Sequence, residues 1–248
     1  MQRFIVPAAA IRNGVVEFDA QVAHQLRQVL RLAAGAHVIV SDGRGRAWQA
    51  ELVEVERHRA WARLLDEQTD HNEPATRITL YQGTLKADKF EWVLQKGTEL
   101  GVHRFVPLIV QRSIVRDREA LAGKQTRWQA IAREAAEQAG RSWVPEVAVA
   151  HDLVAALNTS EGPPDLRLIC WENETNQRLR DIVEPLAVRD RSVAIDLFIG
   201  PEGGFAGDEI VAARAAGVQV IGLGPRILRA ETASLAAVTA LLYARHDM

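Results

Sequence analysis

The chain has 248 residues, of which 48% are hydrophobic and 25% are charged, and its formal net charge is −2. This composition is typical of a globular protein that can bury a core in one large or two modest domains, and the slightly acidic balance counts mildly against a nucleic-acid partner. Cys170 is the single cysteine, which excludes an internal disulfide and a cysteine-rich zinc site.

Short strand-like segments dominate residues 1–70 and predict a small β-rich barrel or sandwich. The segments are RFIVP, HVIVSDG, WQAELVEVE and AWARLLDE. One amphipathic helix is predicted over about residues 20–32. Asp42, Gly43 and Gly45 lie between two strand-like segments and predict a hairpin turn.

A polar segment at about residues 66–76 predicts a linker, and strands alternate with helices after it. Asp208 is predicted to cap the helix DEIVAARAAG, and Gly217 to end it. Continuous apolar strands between helices indicate a parallel sheet with both faces covered, here a second domain over residues 75–248. The predicted strands are ITLYQGTL, FVPLIV, LRLICW, AIDLFIG and VQVIGLG. The other predicted helices are DKFEWVLQKGTELG, residues about 121–139, NQRLRDIVEPL and ETASLAAVTALLYARH.

Three strand ends carry the segments ICWENE, FIGPEGGF and IGLGPRILRAETA. In open parallel sheets, ligands bind beyond the carboxyl ends of the strands. Neither GxGxxG nor Walker A follows a strand, and Glu202 stands where a phosphate would need a cation. Bare glycine backbone and an acid favour a neutral or cationic ligand, although a tight turn before a helix would also explain the glycines.

Ile227 and Leu228 are apolar residues in a predicted strand-to-helix turn. A flat aromatic ring such as adenine would cover them, but they would equally serve as a plug of the core. Glu231 begins the last helix, where it either favours the positive helix end or pairs with Arg229.

FIGPEGGF followed by LGPRILRAETA resembles the signature of the ribosomal RNA small subunit methyltransferase E family of the SPOUT superfamily. QKGTELGV (95–102), AAEQAGR (135–141), HQLRQVLRL and SDGRGRAW are similar to that family too, so the resemblance spans nearly the whole chain. It implies an α/β domain with a C-terminal trefoil knot, a PUA-like RNA-binding barrel over residues 1–70, and a homodimer.

The resemblance also implies that S-adenosyl-L-methionine binds in the knot, between the three strand-end loops. By position in the motifs, the residues expected to hold this methyl donor are Trp171, Glu172, Ile199, Gly200, Glu202, Gly203, Leu223, Gly224, Ile227, Leu228, Thr232 and Ala233.

The implied reaction is methylation of N3 of a uridine in 16S ribosomal RNA of the small subunit. The N3 proton is weakly acidic, so its removal must be assisted or the negative charge on the base stabilised. Arg229 is expected to stabilise that charge, and Glu231 to act as a base or to orient Arg229. A salt bridge that holds the loop is the alternative for both residues.

Cations near the strand ends and on the predicted barrel are expected to bind RNA phosphates, although a solvated charge is the alternative for each. Gln138 and Arg141 are expected to face the substrate or a second subunit. Trp92 and Trp128 are expected in the core, and the histidines lack metal-ligand spacing, so we expect no metal. The predicted RNA contacts are Arg3, Arg27, Arg31, Arg44, Arg46, Lys86, Lys89 and Arg112.

Three alternatives remain: a methyltransferase of the same superfamily acting on another RNA, a non-catalytic RNA-binding ribosome-assembly factor, and a metabolic α/β enzyme. The intact glycine loops count against the assembly factor. The sequence has no apolar run of about 18 residues and begins without the apolar core of a secretion signal. We therefore expect no membrane span and a cytoplasmic location, which suits a lone cysteine.

Overall fold

The computed structural model of the chain describes residues 1–68, 72–158, 164–186 and 192–248. The chain divides into two compact units, one formed by Met1–Glu73 with Ala136–Val144 and the other by Pro74–Ala135 with Pro145–Met248. The linker predicted at 66–76 falls partly outside the described residues.

The first unit is a curled six-stranded sheet in the order β1-β4-β5-β6-β3-β2, in which β1 pairs with β4 in parallel and the other pairs are antiparallel. The helix predicted over 20–32 is present as a shorter α-helix, α1, followed by a π-helical turn at Gln25–Val29. The strands are β1 (Arg3–Ile5), β2 (Ile11–Arg12), β3 (Val15–Phe18), β4 (His37–Ser41), β5 (Ala47–Val55) and β6 (Ala60–Gln68), and α1 is Ala20–His24. The sequence pattern did not indicate β2 and β3.

The predicted hairpin turn joins β4 to β5. Gly43 and Gly45 have φ angles of 70° and 98°, which a side chain would strain. The Asp42 carboxylate accepts hydrogen bonds from the backbone amides of Arg44 and Arg46, at 2.8 and 3.2 Å. The Asp-Gly signal in the sequence is thereby confirmed.

Residues 136–144 pack with the first unit through Glu73. This carboxylate accepts a hydrogen bond from the Arg141 guanidinium at 2.8 Å and another from the backbone amide of Ser142 at 3.0 Å. Arg141 is only 3% exposed. The expectation that Arg141 faces a substrate or a second subunit is therefore wrong, because its charge is buried against Glu73, whereas Gln138 is exposed.

The second unit is the predicted parallel sheet, in the order β10-β8-β7-β12-β11-β13, with β9 beside β8. Its strands are β7 (Thr76–Gly83), β8 (Arg104–Ile109), β9 (Glu146–Val147), β10 (His151–Asp152), β11 (Leu166–Cys170), β12 (Val193–Ile199) and β13 (Gln219–Ile221). The helices are α2 (Lys89–Leu100), α3 (Arg118–Gln138), α4 (Leu153–Asn158), α5 (Leu179–Leu186), α6 (Gly207–Ala215) and α7 (Ala230–Ala244).

Alternate residues of β12 enter two separate hydrophobic clusters, as expected for a strand that is buried on both faces. Leu197 packs in the cluster that contains α7 residues such as Leu241, and Phe198 packs in the cluster that contains Ile210 of α6. The continuous apolar run of the sequence thus predicted the two-sided burial correctly.

Two finer predictions in this unit are wrong. The cap of α6 is Ala206 rather than Asp208, because the Glu209 side chain accepts the hydrogen bond of the Ala206 amide and starts the helix earlier. Trp128 is buried as predicted, but Trp92 is 43% exposed. The knot that the resemblance implies stays a prediction.

Among the described residues, no helix is long and apolar enough to cross a membrane.

Candidate active site at the strand ends

A cavity of about 560 Å³ opens in the second unit, where β11, β12 and β13 end. Its volume is within the usual range for a small-molecule site. Arg229, Glu231 and Lys89 line it, together with every residue predicted to hold the methyl donor except Thr232. Thr232 instead lines a shallow depression beside α2 and α7. The strand ends therefore bring together the three segments that the sequence singled out.

The first wall follows β11. The Trp171 backbone amide donates to the Ile221 carbonyl at 3.0 Å, which ties this loop to the end of β13. Burial raises the pKa of the Cys170 thiol to about 12, so this cysteine stays protonated and is not a nucleophile at neutral pH. The Glu172 carboxylate reaches across to the next wall.

The second wall is residues 200–206, which we call the glycine turn. A β-carbon on Gly204 would lie 2.7 Å from a Glu172 oxygen, and this glycine has a φ of 67°. A β-carbon on Gly203 would lie 2.9 Å from the Arg112 side chain. Glycines are therefore needed here because neighbouring groups approach the backbone closely. From the sequence alone, a tight turn before a helix explained these glycines equally well.

Hydrogen bonds fix the glycine turn from two sides. The backbone amide of Lys86 donates to Glu202 at 3.1 Å, and the Arg112 guanidinium donates to the Gly203 carbonyl at 3.0 Å. One oxygen of Glu202 is therefore occupied by the chain itself. Lys86 and Arg112, predicted as RNA contacts, lie beside the cavity.

Glu209, which the sequence analysis did not select, holds the far end of the glycine turn. One carboxylate oxygen accepts from the backbone amide of Gln111 and the other from that of Ala206, both at 2.8 Å. Glu209 is only 8% exposed. The sequence signal for this role was an acidic residue in the first turn of the helix that follows the glycine motif. The partner of Glu209 at residue 111 is distant in sequence, so the contact itself could not be predicted.

The third wall is residues 223–229, which we call the arginine loop. Leu223 and Leu228 are half-buried, whereas residues 224–227 are exposed. Gly224 has a φ of 111°, and a β-carbon there would meet no protein atom within 4 Å. Ile227 is 88% exposed although it lines the cavity. The two apolar residues that the sequence paired are thus in different environments.

The start of α7 carries the two predicted catalytic residues. Arg229 is the N-terminal cap and is exposed. One Glu231 oxygen lies 3.1 Å from the Lys89 ammonium, and the other is buried without a hydrogen-bond partner among the described residues. Burial opposes ionisation of Glu231, but its own backbone amide, Lys89 and Arg229 together lower the pKa of this carboxyl below its ordinary value.

A buried polar contact anchors α7 under the cavity. The Ser234 hydroxyl hydrogen-bonds the side-chain oxygen of Gln82, and the Gln82 amide donates to the Gly83 carbonyl at 3.1 Å. Gln82 and Ser234 are both fully buried. This contact joins the helix that carries Arg229 and Glu231 to the end of β7.

The predicted RNA contacts of the first unit differ in ion pairing and in exposure. Arg46 forms a two-bonded ion pair with Glu67, at 2.8 Å for each bond, and lies over the Trp48 ring. The hydrogen bond and charge of Glu67 raise the pKa of Arg46, so Arg46 stays protonated, and the Glu67 carboxylate balances its charge. Arg3 is half-buried. The cations Arg27, Arg31 and Arg44 are exposed.

Comparisons with known proteins identify the family of this chain. A family model for an RNA methyltransferase domain matches residues 71–242, and one for an RNA methyltransferase PUA domain matches residues 18–65. The ribosomal RNA small subunit methyltransferase E of Synechocystis is 35% identical over 243 residues, which are 97% of this chain and 78% of that relative. This chain belongs to the ribosomal RNA small subunit methyltransferase E family. The motif resemblance is thus confirmed.

Other members of this family give the same result. The Bacillus subtilis protein of that name is 32% identical over 222 residues, covering 89% of this chain and 86% of the relative. A crystal structure of the Neisseria gonorrhoeae protein of that name, bound to S-adenosyl methionine, is 37% identical. Its TM-score is 0.84, with coverage of 98% of this chain and 97% of that one.

Proposed function

We propose that this protein transfers a methyl group from S-adenosyl-L-methionine to N3 of a uridine in 16S ribosomal RNA. The observation that supports this most directly is the cavity formed by three strand-end loops in a chain of this family. Relatives named as methyltransferases of small-subunit ribosomal RNA, one with S-adenosyl methionine bound, support the donor and the class of substrate. The choice of uridine N3 rests on the motif resemblance.

The residues present fit this donor. Ile199, Leu223 and Leu228 supply apolar surface for the adenine, and the three glycines of the glycine turn supply backbone without side chains. The donor carries a cationic sulfonium and an ammonium group. The acidic residues Glu172 and Glu202 of the cavity would attract these cations, whereas they would repel a phosphate. The cavity volume of about 560 Å³ is adequate for a ligand of this size.

We assign the donor site to the residues of the three walls. Residue 227 contributes through its backbone, and Thr232 acts indirectly, because it does not line the cavity. S-adenosyl-L-methionine supplies an electrophilic methyl group when it is bound. Besides the backbone of residue 227, the proposed donor contacts are Trp171, Glu172, Ile199, Gly200, Glu202, Gly203, Leu223, Gly224, Leu228 and Ala233.

Arg229 stabilises the negative charge that develops on the uracil as N3 loses its proton. Its exposed guanidinium at the cavity leaves it able to face a base that enters from solvent. The new N3–carbon bond forms as the bond from sulfur to the methyl carbon breaks, and the proton is released to solvent. A fixed positive charge at the uracil lowers the barrier without a change in its own protonation.

Glu231 is better suited to hold Lys89 and the start of α7 than to act as the base. A carboxyl group with a lowered pKa binds a proton weakly, so it is a poor acceptor for the N3 proton. Its contact with Lys89 at 3.1 Å keeps that ammonium at the cavity. The Arg229 charge contributes less to that lowered pKa than Lys89 does, so holding Lys89 is the role that the contacts of Glu231 favour.

RNA binding is proposed for cations of both units. Lys86, Lys89 and Arg112 lie at or beside the cavity, and the exposed Arg27, Arg31 and Arg44 with Arg3 provide phosphate contacts on the first unit. Arg46 contributes less, because Glu67 already neutralises it. A ribosomal RNA substrate also implies that the protein acts in the cytoplasm.

Methylation of small subunits from a strain that lacks this modification, with labelled donor and mass mapping of the RNA, tests the proposal. The labelled methyl group is expected on N3 of one uridine. Label on another RNA would indicate a different target within the superfamily. Donor binding without any label would favour an assembly factor.

Arg229→Ala is expected to lower kcat by about a hundredfold, because one charge-stabilising group is lost from the transition state. Donor affinity, measured by calorimetry, is expected to stay within about twofold. Arg229→Lys is the control, since it keeps the positive charge and should recover part of the rate. Equal losses in donor affinity and kcat would remove the catalytic role of Arg229.

A homodimer through α2 and α7 is also proposed. The depression of about 460 Å³ beside these helices is lined by uncharged residues, and its aromatic members Trp92 and Tyr243 are 43% and 73% exposed. An exposed apolar surface of this kind marks an interaction site. We expect sedimentation velocity to show a dimer that Tyr243→Glu dissociates; a wild-type monomer at micromolar concentration would contradict this.

A further inference from the structure

Ile227 is a large apolar residue of the cavity that the protein leaves uncovered. Its side chain is 88% exposed, whereas Ile199 is 2% exposed and Leu223 and Leu228 are half-buried. A side chain that forms the wall of a binding cavity is packed on its outer side by the protein. Ile227 lacks that packing, so its side chain is a poor wall for a small ligand.

Positive charge surrounds this exposed side chain. Arg226 precedes Ile227, Arg229 follows two residues later, and both are exposed. Residues 222–230, GLGPRILRA, contain no acid. Glu231, the first acid after them, lies against Lys89. A partner of the arginine loop must therefore combine apolar surface with negative charge.

We propose that the Ile227 side chain contacts the RNA bases beside the target uridine, with Arg226 facing a neighbouring phosphate. This inference rests on the proposed function. N3 lies on the pairing edge of uracil, so the base must leave its pairs and its stack before it can be methylated. An aliphatic side chain that enters the vacated space stabilises such a turned-out base.

The charge pattern favours RNA over the two other candidate partners of Ile227, which are the methyl donor and a second copy of the chain. The adenine of a donor would be covered by the half-buried or buried residues Ile199, Leu223 and Leu228. A second copy of the chain would be expected on the uncharged surface that contains Trp92 and Tyr243. An isoleucine between two arginines complements a polyanion that also exposes base faces.

The variant Ile227→Ala distinguishes these three candidate partners. Donor affinity, KM for small subunits and oligomeric state are measured on the same full-length variant. We expect KM for small subunits to rise about tenfold, with the donor Kd and the sedimentation coefficient unchanged. Ile227→Leu should recover most of the loss, since it restores the apolar volume. The matched control is Val211→Ala, because Val211 is 68% exposed on α6 and away from the lining of the cavity.

Several outcomes would overturn the inference. A weaker donor Kd with unchanged KM for subunits would assign Ile227 to the donor. A shift to a smaller species would assign it to a second copy, and unchanged kinetics would leave it without a role in RNA binding. A wild-type protein that does not methylate small subunits would refute the proposed function itself, which is a different result from an active wild type with an unaffected variant.

Discussion

The glycine turn and the arginine loop border the same cavity, but they are built in opposite ways. The glycine turn is held by Lys86, Arg112 and Glu209, and its glycines touch neighbouring groups. The arginine loop is exposed over residues 224–227. One side of the cavity is therefore held by contacts within the protein, and the other is exposed to solvent.

This difference suits a reaction between one small and one large substrate. The donor has few atoms, so it must be aligned by groups that do not move, and alignment of reactants can lower a barrier by about 7–11 kcal/mol. The RNA brings many phosphates and a large surface, so it can be bound by an open loop with two cations. In the proposed function, the glycine turn aligns the donor together with Leu223, Gly224 and Leu228, and the exposed cations of the arginine loop are left to bind RNA.

Gly83→Ala is expected to displace the glycine turn and to have the largest effect on stability and donor binding. Gly83 ends β7, and a β-carbon there would lie 2.2 Å from the Pro201 nitrogen, so the glycine turn would have to move. We expect the free energy of unfolding to fall by about 3 kcal/mol and donor binding to be lost. Denaturant unfolding and calorimetry measure these two effects.

Gly123→Ala is the matched control for that substitution. Gly123 lies inside α3, where an added β-carbon meets no atom within 4 Å. Alanine is a better helix former than glycine, so the free energy of unfolding of this variant is expected to rise by about 1 kcal/mol. If Gly83→Ala also left stability and donor affinity intact, the glycine turn would not be as closely packed as its contacts indicate.

The fold of the second unit could be predicted because its signals are local. Apolar runs such as AIDLFI gave the strands, and a glycine such as Gly217, with a φ of 78°, ended a helix at the expected place. The family signature also directed attention to residues that do line one cavity. These features depend on neighbours in the chain or on motifs of a few residues.

The contacts that hold the site could not be predicted, because their partners are far apart in sequence. Glu209 bonds the amide of Gln111, and Glu73 binds Arg141, across 98 and 68 residues respectively. The prediction that Trp92 is buried was wrong for a related reason. An amphipathic pattern shows that a helix face is apolar, but it does not show what covers that face. Distance in sequence, rather than the chemistry of any residue, limited the prediction.

Glu209→Gln is expected to loosen the glycine turn with a smaller effect. Both oxygens of Glu209 accept from backbone amides, and a glutamine would place an amide donor against one of them. A buried amide left without an acceptor costs about 1–3 kcal/mol. We expect the donor Kd to rise about tenfold, because the turn loses a constraint at residue 206.

Asp208→Asn distinguishes this positioning role from a general loss of charge. Asp208 precedes Glu209 on α6, and its carboxylate accepts a hydrogen bond from the Gln111 side chain, whereas Glu209 accepts from the backbone amides of Gln111 and Ala206. Its amide variant keeps an acceptor and is exposed, so donor affinity should change by less than about twofold. If both variants lowered the melting temperature equally and left the donor Kd alone, Glu209 would stabilise α6 without positioning the turn. A selective rise in Kd for Glu209→Gln would instead show that the fixed side of the cavity depends on this one buried carboxylate.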